Sequence, residues 1–272
     1  MLMNSKRNRV YFEGGFGSQL LSALTYLHLA KDVQLTCDFS YFDSRNEIEN
    51  PNLSFWNWRL GAYGFARESF PESNLFLNSR RRRFHELKAS QAILSEIFES
   101  DYSKRFPISN DLVQFKVELN LSDAEEFACI HVRQGDYLKV ASRVIPLYET
   151  LDSIKQVTAI LPERVFIISD SELSVLDKKA TETVLEKHNT VYIIGGDELS
   201  VHELMRTANV LVTSNSTFSF SAMLLAIKNQ IAITPNNFHG DNNAVLNSNF
   251  ILQKSWSINS KSARKSWELY GK

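Results

Sequence analysis

Short, mainly apolar runs recur through the second half of the chain, each closed by a polar or glycine-containing break. Phe127 to Val132, Val165 to Ile168, Val191 to Ile194, Val210 to Val212 and Ile231 to Ile233 are too short for helices. They also lack the alternation of a half-exposed strand. Such runs read as strands covered on both faces. Helix-length segments lie between them. Pro146 opens one that runs to about Ile160, at a position where a missing N–H costs nothing. Others run from Glu172 to about Lys187, up to Thr207 behind a Ser200/Glu203 capping box, and from Phe218 to Ile227. Strands alternating with helices predict an α/β fold: a parallel sheet with helices on both faces.

The first half is less regular. Val10 to Phe12 reads as a short strand, broken at Glu13-Gly14-Gly15-Phe16-Gly17. Leu20, Leu21, Leu24, Leu27 and Leu29 then give a helix face up to about Lys31, and Val33 to Cys37 a second strand. Residues 38 to 85 are aromatic-rich with little periodicity, and Ser90 to Phe98 reads as a helix. A boundary falls near Asp111 to Asp123, giving an N-terminal half, 1–118, and a C-terminal half, 119–272.

Composition narrows the function. Thirty basic against thirty-one acidic residues leave a net charge of −1, which argues against a nucleic-acid partner. Cys37 and Cys129 are the two cysteines, and neither sits at metal-ligand spacing, so no structural metal is expected. Two cysteines in a chain of this length fit a reducing compartment. The first ten residues have no apolar signal core, and no run reaches the ~18–20 apolar residues of a spanning helix. The expected location is the cytoplasm, with any membrane contact peripheral, at its inner face.

Ligands of open parallel sheets bind beyond the carboxyl ends of the strands. Three polar clusters leave strands in this chain: His131 to Tyr137, Ser169-Asp170-Ser171, and Ser214-Asn215-Ser216-Thr217 at the start of a helix. Their chemistry suits a phosphate. Arg133 offers a fork of donors. Asn215, Ser216 and Thr217 set hydroxyls and backbone N–H groups at a helix N-terminus. Asp170 is able to accept from a base or sugar hydroxyl. Blander roles compete: Ser216 and Asp170 as helix caps, and Arg133 as a surface ion pair.

These residues resemble a known family. His131-Val132-Arg133-Gln134-Gly135-Asp136-Tyr137 is similar to the H-x-R-R-x-D-Y motif of the α-1,2-fucosyltransferases, glycosyltransferase family 11. Gly14-Gly15-Phe16-Gly17-Ser18-Gln19-Leu20 resembles that family's N-terminal GGLGNQ signature. Phe166 to Asp170 resembles its strand ending in Ser-Asp, and Asn215-Ser216-Thr217-Phe218-Ser219 its NSTFS motif. The resemblance implies a GT-B-like fold of two Rossmann-like halves, with the donor site in the C-terminal parallel sheet. It implies GDP-fucose as donor, inversion at the anomeric carbon, and no obligatory metal or cofactor. It also implies an acceptor glycan, lipid-linked where the product is a bacterial surface polysaccharide. Arg133 maps to the first motif arginine, a pyrophosphate contact; the second is absent, with Gln134 in its place.

On that reading His131, Arg133, Ser169, Asp170, Asn215, Ser216, Thr217 and Phe218 line the donor site. Gly14, Gly15, Gly17 and Gln19 form a cleft loop. Departing diphosphate charge needs a cation or dipole, and no D-x-D pair is present to hold a metal; Arg133 and the Ser216/Thr217 helix tip would fill that role. Asp136 and Glu13 are the base candidates. His131 alternates with Ile130 and Val132, which also reads as a packed strand residue. Three alternatives stand. Another nucleotide sugar fits the Gln134 departure. A nicotinamide oxidoreductase fits Gly15-x-Gly17 with Asp38 about twenty residues on. A non-catalytic binding protein fits a weakened charge contact.

Two basic segments remain. Arg80 to Arg83 reads as a solvated loop. Lys254 to Lys272 holds five basic residues against Glu268, interleaved with Trp256, Trp267 and Tyr270. It reads either as a C-terminal helix packed on the body or as a peripheral membrane element. Trp56, Trp58, Tyr63 and Phe65 read equally as sugar-stacking rings or as core.

Overall fold

The structure is a computed structural model. It describes residues 9–32, 34–43, 57–71, 91–135, 144–227, 229–235, 250–252 and 256–260. Two compact units divide between Pro107 and Ile108.

The first unit opens with β1 (Arg9–Tyr11), α1 (Phe16–Leu29) and β2 (Thr36–Asp38). The two strands pair in parallel, Val10 opposite Cys37. A short α2 (Ser40–Asp43), two 3-10 turns at Leu60–Tyr63 and Arg67–Ser69, and α3 (Gln91–Glu99) follow. The core here is aromatic. Phe12 lies 5.1 Å from Phe39, 5.6 Å from Trp58 and 4.9 Å from Phe70 between ring centroids. Trp58 donates its indole N–H to the Phe65 carbonyl at 2.8 Å, so the ring's polar edge is satisfied. Tyr63 stacks on Phe16, and Phe65 packs on Phe106. Tyr63 is therefore a core residue, while Trp58 and Phe65 are half-buried against that core. Trp56 and Arg80 to Arg83 lie outside the described residues.

The second unit begins with α4 (Asn110–Glu118), then alternates β3 (Phe127–Val132), α5 (Leu147–Ile154), β4 (Arg164–Ser169), α6 (Val175–Val184) and β5 (Asn189–Ile194). It continues with α7 (Glu198–Thr207), β6 (Val210–Val212), α8 (Thr217–Leu224) and β7 (Ile231–Pro235). The strand order is β5-β4-β3-β6-β7, all parallel, with β9 (Trp256–Ser260) and β8 (Phe250–Leu252) added antiparallel beyond β7. Every residue of β3 is buried, His131 included, as expected of a central parallel strand. Ile130, Val132, Leu147, Leu151, Val165, Ile167, Val212 and Ile233 form one continuous core. Cys129 and Cys37 are buried, and burial pushes the Cys37 thiol up to about 12.

Four expectations change. The helix from Pro146 is α-helical only to Ile154 and tightens to 3-10 over Lys155–Ile160. The helix after β4 is capped by Ser174, not by Asp170: Ser174 and Asp177 form a capping box. The cap of α7 is Asp197, whose carboxylate accepts from Ser200 N at 2.8 Å. Glu203 instead reaches α4, accepting from Ser109 N at 3.0 Å and from Ser109 Oγ at 2.6 Å. Trp256 lies in a strand rather than a helix, because its segment extends the sheet along β7. Lys254, Trp267 and Tyr270 lie outside the described residues.

Candidate active site

Chain order runs outward from β3 in both directions, to β4 and β5 on one side and to β6 and β7 on the other. Connections leaving β3 and β6 diverge, so a crevice opens beyond their carboxyl ends, where ligands of such sheets settle. Ile130 pairs with Val212, which sets the residues after the two strands side by side. These are Arg133 to Gly135, just past His131 and Val132 at the end of β3, and Thr213 to Phe218.

The two loops are tied to each other. His131 Nδ1 lies 2.7 Å from Ser214 Oγ, both groups buried. Ser214 N donates to Ser219 Oγ at 3.2 Å, which anchors the loop to α8. Ser216 caps α8, its Oγ accepting from Phe218 N at 3.3 Å. The Phe218 ring lies 5.6 Å from the His131 ring and 5.3 Å from that of His202. Ser221 Oγ donates to the Phe218 carbonyl at 2.9 Å, which leaves its lone pair for His202 Nε2–H at 3.0 Å. Burial, reinforced by Arg133, pulls His131 down to about 3. Burial likewise holds His202 well below its ordinary value, with Arg206 and His131 adding to the effect. Both rings are neutral near pH 7, so His131 brings packing and a hydrogen bond to the rim, not a charge.

The β3 loop is held from the other side by one acid. Asp170, just past β4, accepts from Gln134 N at 2.9 Å and Gly135 N at 3.2 Å through Oδ1. Its Oδ2 pairs with Arg133 Nη1 at 3.0 Å. Gly135 is needed for that arrangement: a Cβ there would collide with the Asp170 carboxylate. Asp170 is therefore the strut of the β3 loop rather than a cap, and the ion pair is real yet placed on the crevice rim. Arg133 and Asp170 keep 25% and 23% of their side-chain surface exposed, so the pair is partly open to solvent. Ser169 is turned into its own loop, Oγ donating to the Ser171 carbonyl at 2.7 Å. Asn215 and Ser216 are buried, while Thr217 and Phe218 are half-buried. Asp136 and Tyr137 lie outside the described residues.

The glycine turn belongs to the first unit. Gly14 has φ +71°, a conformation that favours glycine. Gln19 is fully buried and uses its whole amide. Its Nε2 donates to the carbonyls of Gly14 at 3.0 Å and Asn57 at 2.9 Å, and its Oε1 accepts from Arg59 N at 2.8 Å. Gln19 thus builds the turn rather than facing a ligand. Gly15 caps α1 and Gly17 is buried in its first turn. Glu13 follows β1 and is half-buried.

Asp177 and His202 are polar groups of this region to which sequence reasoning gave no role. Both are buried on helices, beside residues as polar as Lys178 and Glu203, so nothing local in the sequence marks their burial. A separate cavity of about 370 Å³ opens at the opposite, amino ends of the strands, lined by Glu125, Glu126, Pro162, Glu163, Arg164 and Asn189. Its three carboxylates suit an anionic ligand poorly, and it lies away from the switch point. Among the described residues, no helix is long and apolar enough to cross a membrane.

Compared with known proteins, the chain matches the model of glycosyl transferase family 11 over residues 28–259, most of its length. The match takes in the loops after β3, β4 and β6 and begins past the glycine turn. No curated protein matches it.

Proposed function

The chain belongs to glycosyl transferase family 11, and from that premise we propose that it moves L-fucose from GDP-fucose to a hydroxyl of an acceptor glycan, with inversion at the anomeric carbon. Membership implies a glycosyltransferase of the fucosyltransferase class, which sets the oxidoreductase reading aside. The finer reading is an α-1,2 linkage onto galactose of a surface polysaccharide, made without an obligatory metal by two Rossmann-like halves in a GT-B-like arrangement. One observation carries the donor assignment: Arg133, braced by Asp170, stands at the switch point beside the loop that opens α8.

In this reaction the bond from the anomeric carbon to the β-phosphate oxygen breaks, and its electron pair leaves with GDP. The acceptor oxygen forms the new glycosidic bond from the opposite face, and its proton passes to a base. The growing diphosphate charge would meet the Arg133 fork and the backbone N–H groups at Ser216 and Thr217. These groups are pre-set, so little reorganisation is needed as charge develops. Asp136 or Glu13 would take the proton. A second reading, another nucleotide sugar on the same scaffold, is favoured by Gln134, which brings no charge to this loop.

A thermal-shift panel of GDP, UDP, ADP and NAD separates the two. A nucleotide at 100 times its Kd stabilises the native state by about 2.7 kcal/mol, and GDP is expected to give the largest shift. Arg133→Ala is expected to lower turnover with GDP-fucose roughly 10²–10³-fold, the loss seen when a charge-stabilising donor is removed. Stabilisation by UDP alone would move the assignment to the second reading. Turnover within threefold of wild type would remove Arg133 from the mechanism.

A further inference from the structure

Arg133 and Gln134 are consecutive, and the structure turns them to different acids. Arg133 pairs with Asp170 on the rim, whereas Gln134 is buried at 8% exposure. Its Nε2 donates to Asp177 Oδ2 at 3.3 Å, and Asp177 is itself 1% exposed. A carboxylate oxygen accepts only, so the amide orientation follows from its partner.

Asp177 gathers donors from three elements. Its Oδ1 accepts from Tyr148 N at 3.0 Å, at the start of α5. Its Oδ2 accepts from Ser174 N at 3.2 Å and Ser174 Oγ at 2.7 Å, at the cap of α6. Gln134 adds the β3 loop to this set. We infer that Gln134 is a positioning residue: anchored inward by Asp177, it fixes the loop so that Arg133 faces the crevice, and position 134 itself does not face the ligand. Two anchors, Asp170 on the backbone N–H groups and Asp177 on the side chain, then leave the loop little freedom to roll. A cation at 134 would meet Asp177 rather than a diphosphate.

The inference rests on the crevice binding a nucleotide diphosphate, and its test has an arm that needs none. Gln134→Met keeps the side chain's length and removes its donor. In hydrogen-exchange mass spectrometry without nucleotide, the amides of Gln134 and Gly135 are expected to exchange at least threefold faster in Gln134→Met. Unchanged exchange overturns the inference, whatever the ligand. In GDP titrations Gln134→Met is expected to bind three- to tenfold more weakly, and to cost nothing further in an Arg133→Ala background. A merely structural role would weaken both backgrounds alike and would overturn the inference. Gln134→Arg is expected to bind GDP no more tightly than wild type. Tightening of tenfold or more would show that position 134 faces the diphosphate. Wild-type protein that binds no nucleoside diphosphate would refute the proposed function, leaving the exchange arm to decide the role of Gln134.

Discussion

Replacing Gly135 by alanine adds a single methyl group, and the structure gives that methyl no room. The new Cβ would sit against Asp170 Oδ2 and within 3.0 Å of its carboxyl carbon. Asp170 is short, so it escapes only by swinging its carboxylate away. That swing breaks the Arg133 pair at 3.0 Å and strains the bonds from Gln134 N and Gly135 N to Oδ1. A hydrogen bond to a charged group is worth about 1.5–3 kcal/mol net. The ion pair, a quarter exposed on both sides, adds about 0.5–1 kcal/mol. Losing one N–H bond and the pair therefore costs about 2–4 kcal/mol. For a unit of this size each kcal/mol lowers Tm by roughly 2–4 °C, so Gly135→Ala should melt roughly 5–15 °C below wild type by differential scanning calorimetry. Gly61→Ala is the control, because nothing lies within 4 Å of its added Cβ and its backbone is not left-handed; it should move Tm by under about 2 °C. Nucleotide affinity should fall with Gly135→Ala and hold with Gly61→Ala. Equal melting of the two variants would refute the role given to Asp170.

Three other outcomes are expected. Because the folded pKa of His131 lies at about 3, below the unfolded value of 6.5, the stability it contributes is full above pH 6.5 and is lost as pH falls toward 3. His131→Asn should therefore flatten the decline in Tm between pH 6.5 and 4, by up to ~1.4 kcal/mol per pH unit; parallel pH profiles would contradict this. Glu203→Ala strips the cap from α4 and should destabilise by about 1–3 kcal/mol, while Glu203→Gln, which still accepts from Ser109, should stay within about 1 kcal/mol in urea melts. Gln19→Glu can no longer donate to the Gly14 and Asn57 carbonyls and should cost about 2–4 kcal/mol, against less than 1 kcal/mol for the solvent-facing control Gln34→Glu by the same melts.

The positions of the five parallel strands were legible from short apolar runs. Burial demands such runs of β3, β4, β6 and β7, whereas β5 keeps one at the sheet edge with Tyr192 and Ile194 exposed. The order of the strands was not legible: nothing local in Ala128 to Ile130 says that β3 pairs with Val210 to Val212 on one side as well as with β4, the next strand in sequence, on the other. The switch point was therefore invisible until the pairing was known, although each loop that borders it stood out by its polarity. α4 was missed because Val113 and Val117 face solvent, at 60% and 63% exposure, so no apolar stripe marks it. Caps were misassigned where several residues of the right type cluster. Asp170, Ser174 and Asp177 all resemble N-caps on paper, and only geometry divides them into a strut, a cap and an anchor. Gln134 could be recognised as uncharged, but not as turned inward.

The β3–β6 pairing joins stretches of chain far apart in sequence, whereas β3, β4 and β5 follow one another closely. On a ribosome, the segment from Phe127 to Ile194 is complete before Val210 has been added. Until then one flank of β3 carries bare amides and carbonyls on a strand of apolar side chains, an adhesive edge in a crowded cell. The strand that carries Arg133 is thus an open seam of the nascent chain, and it closes only when β6 arrives.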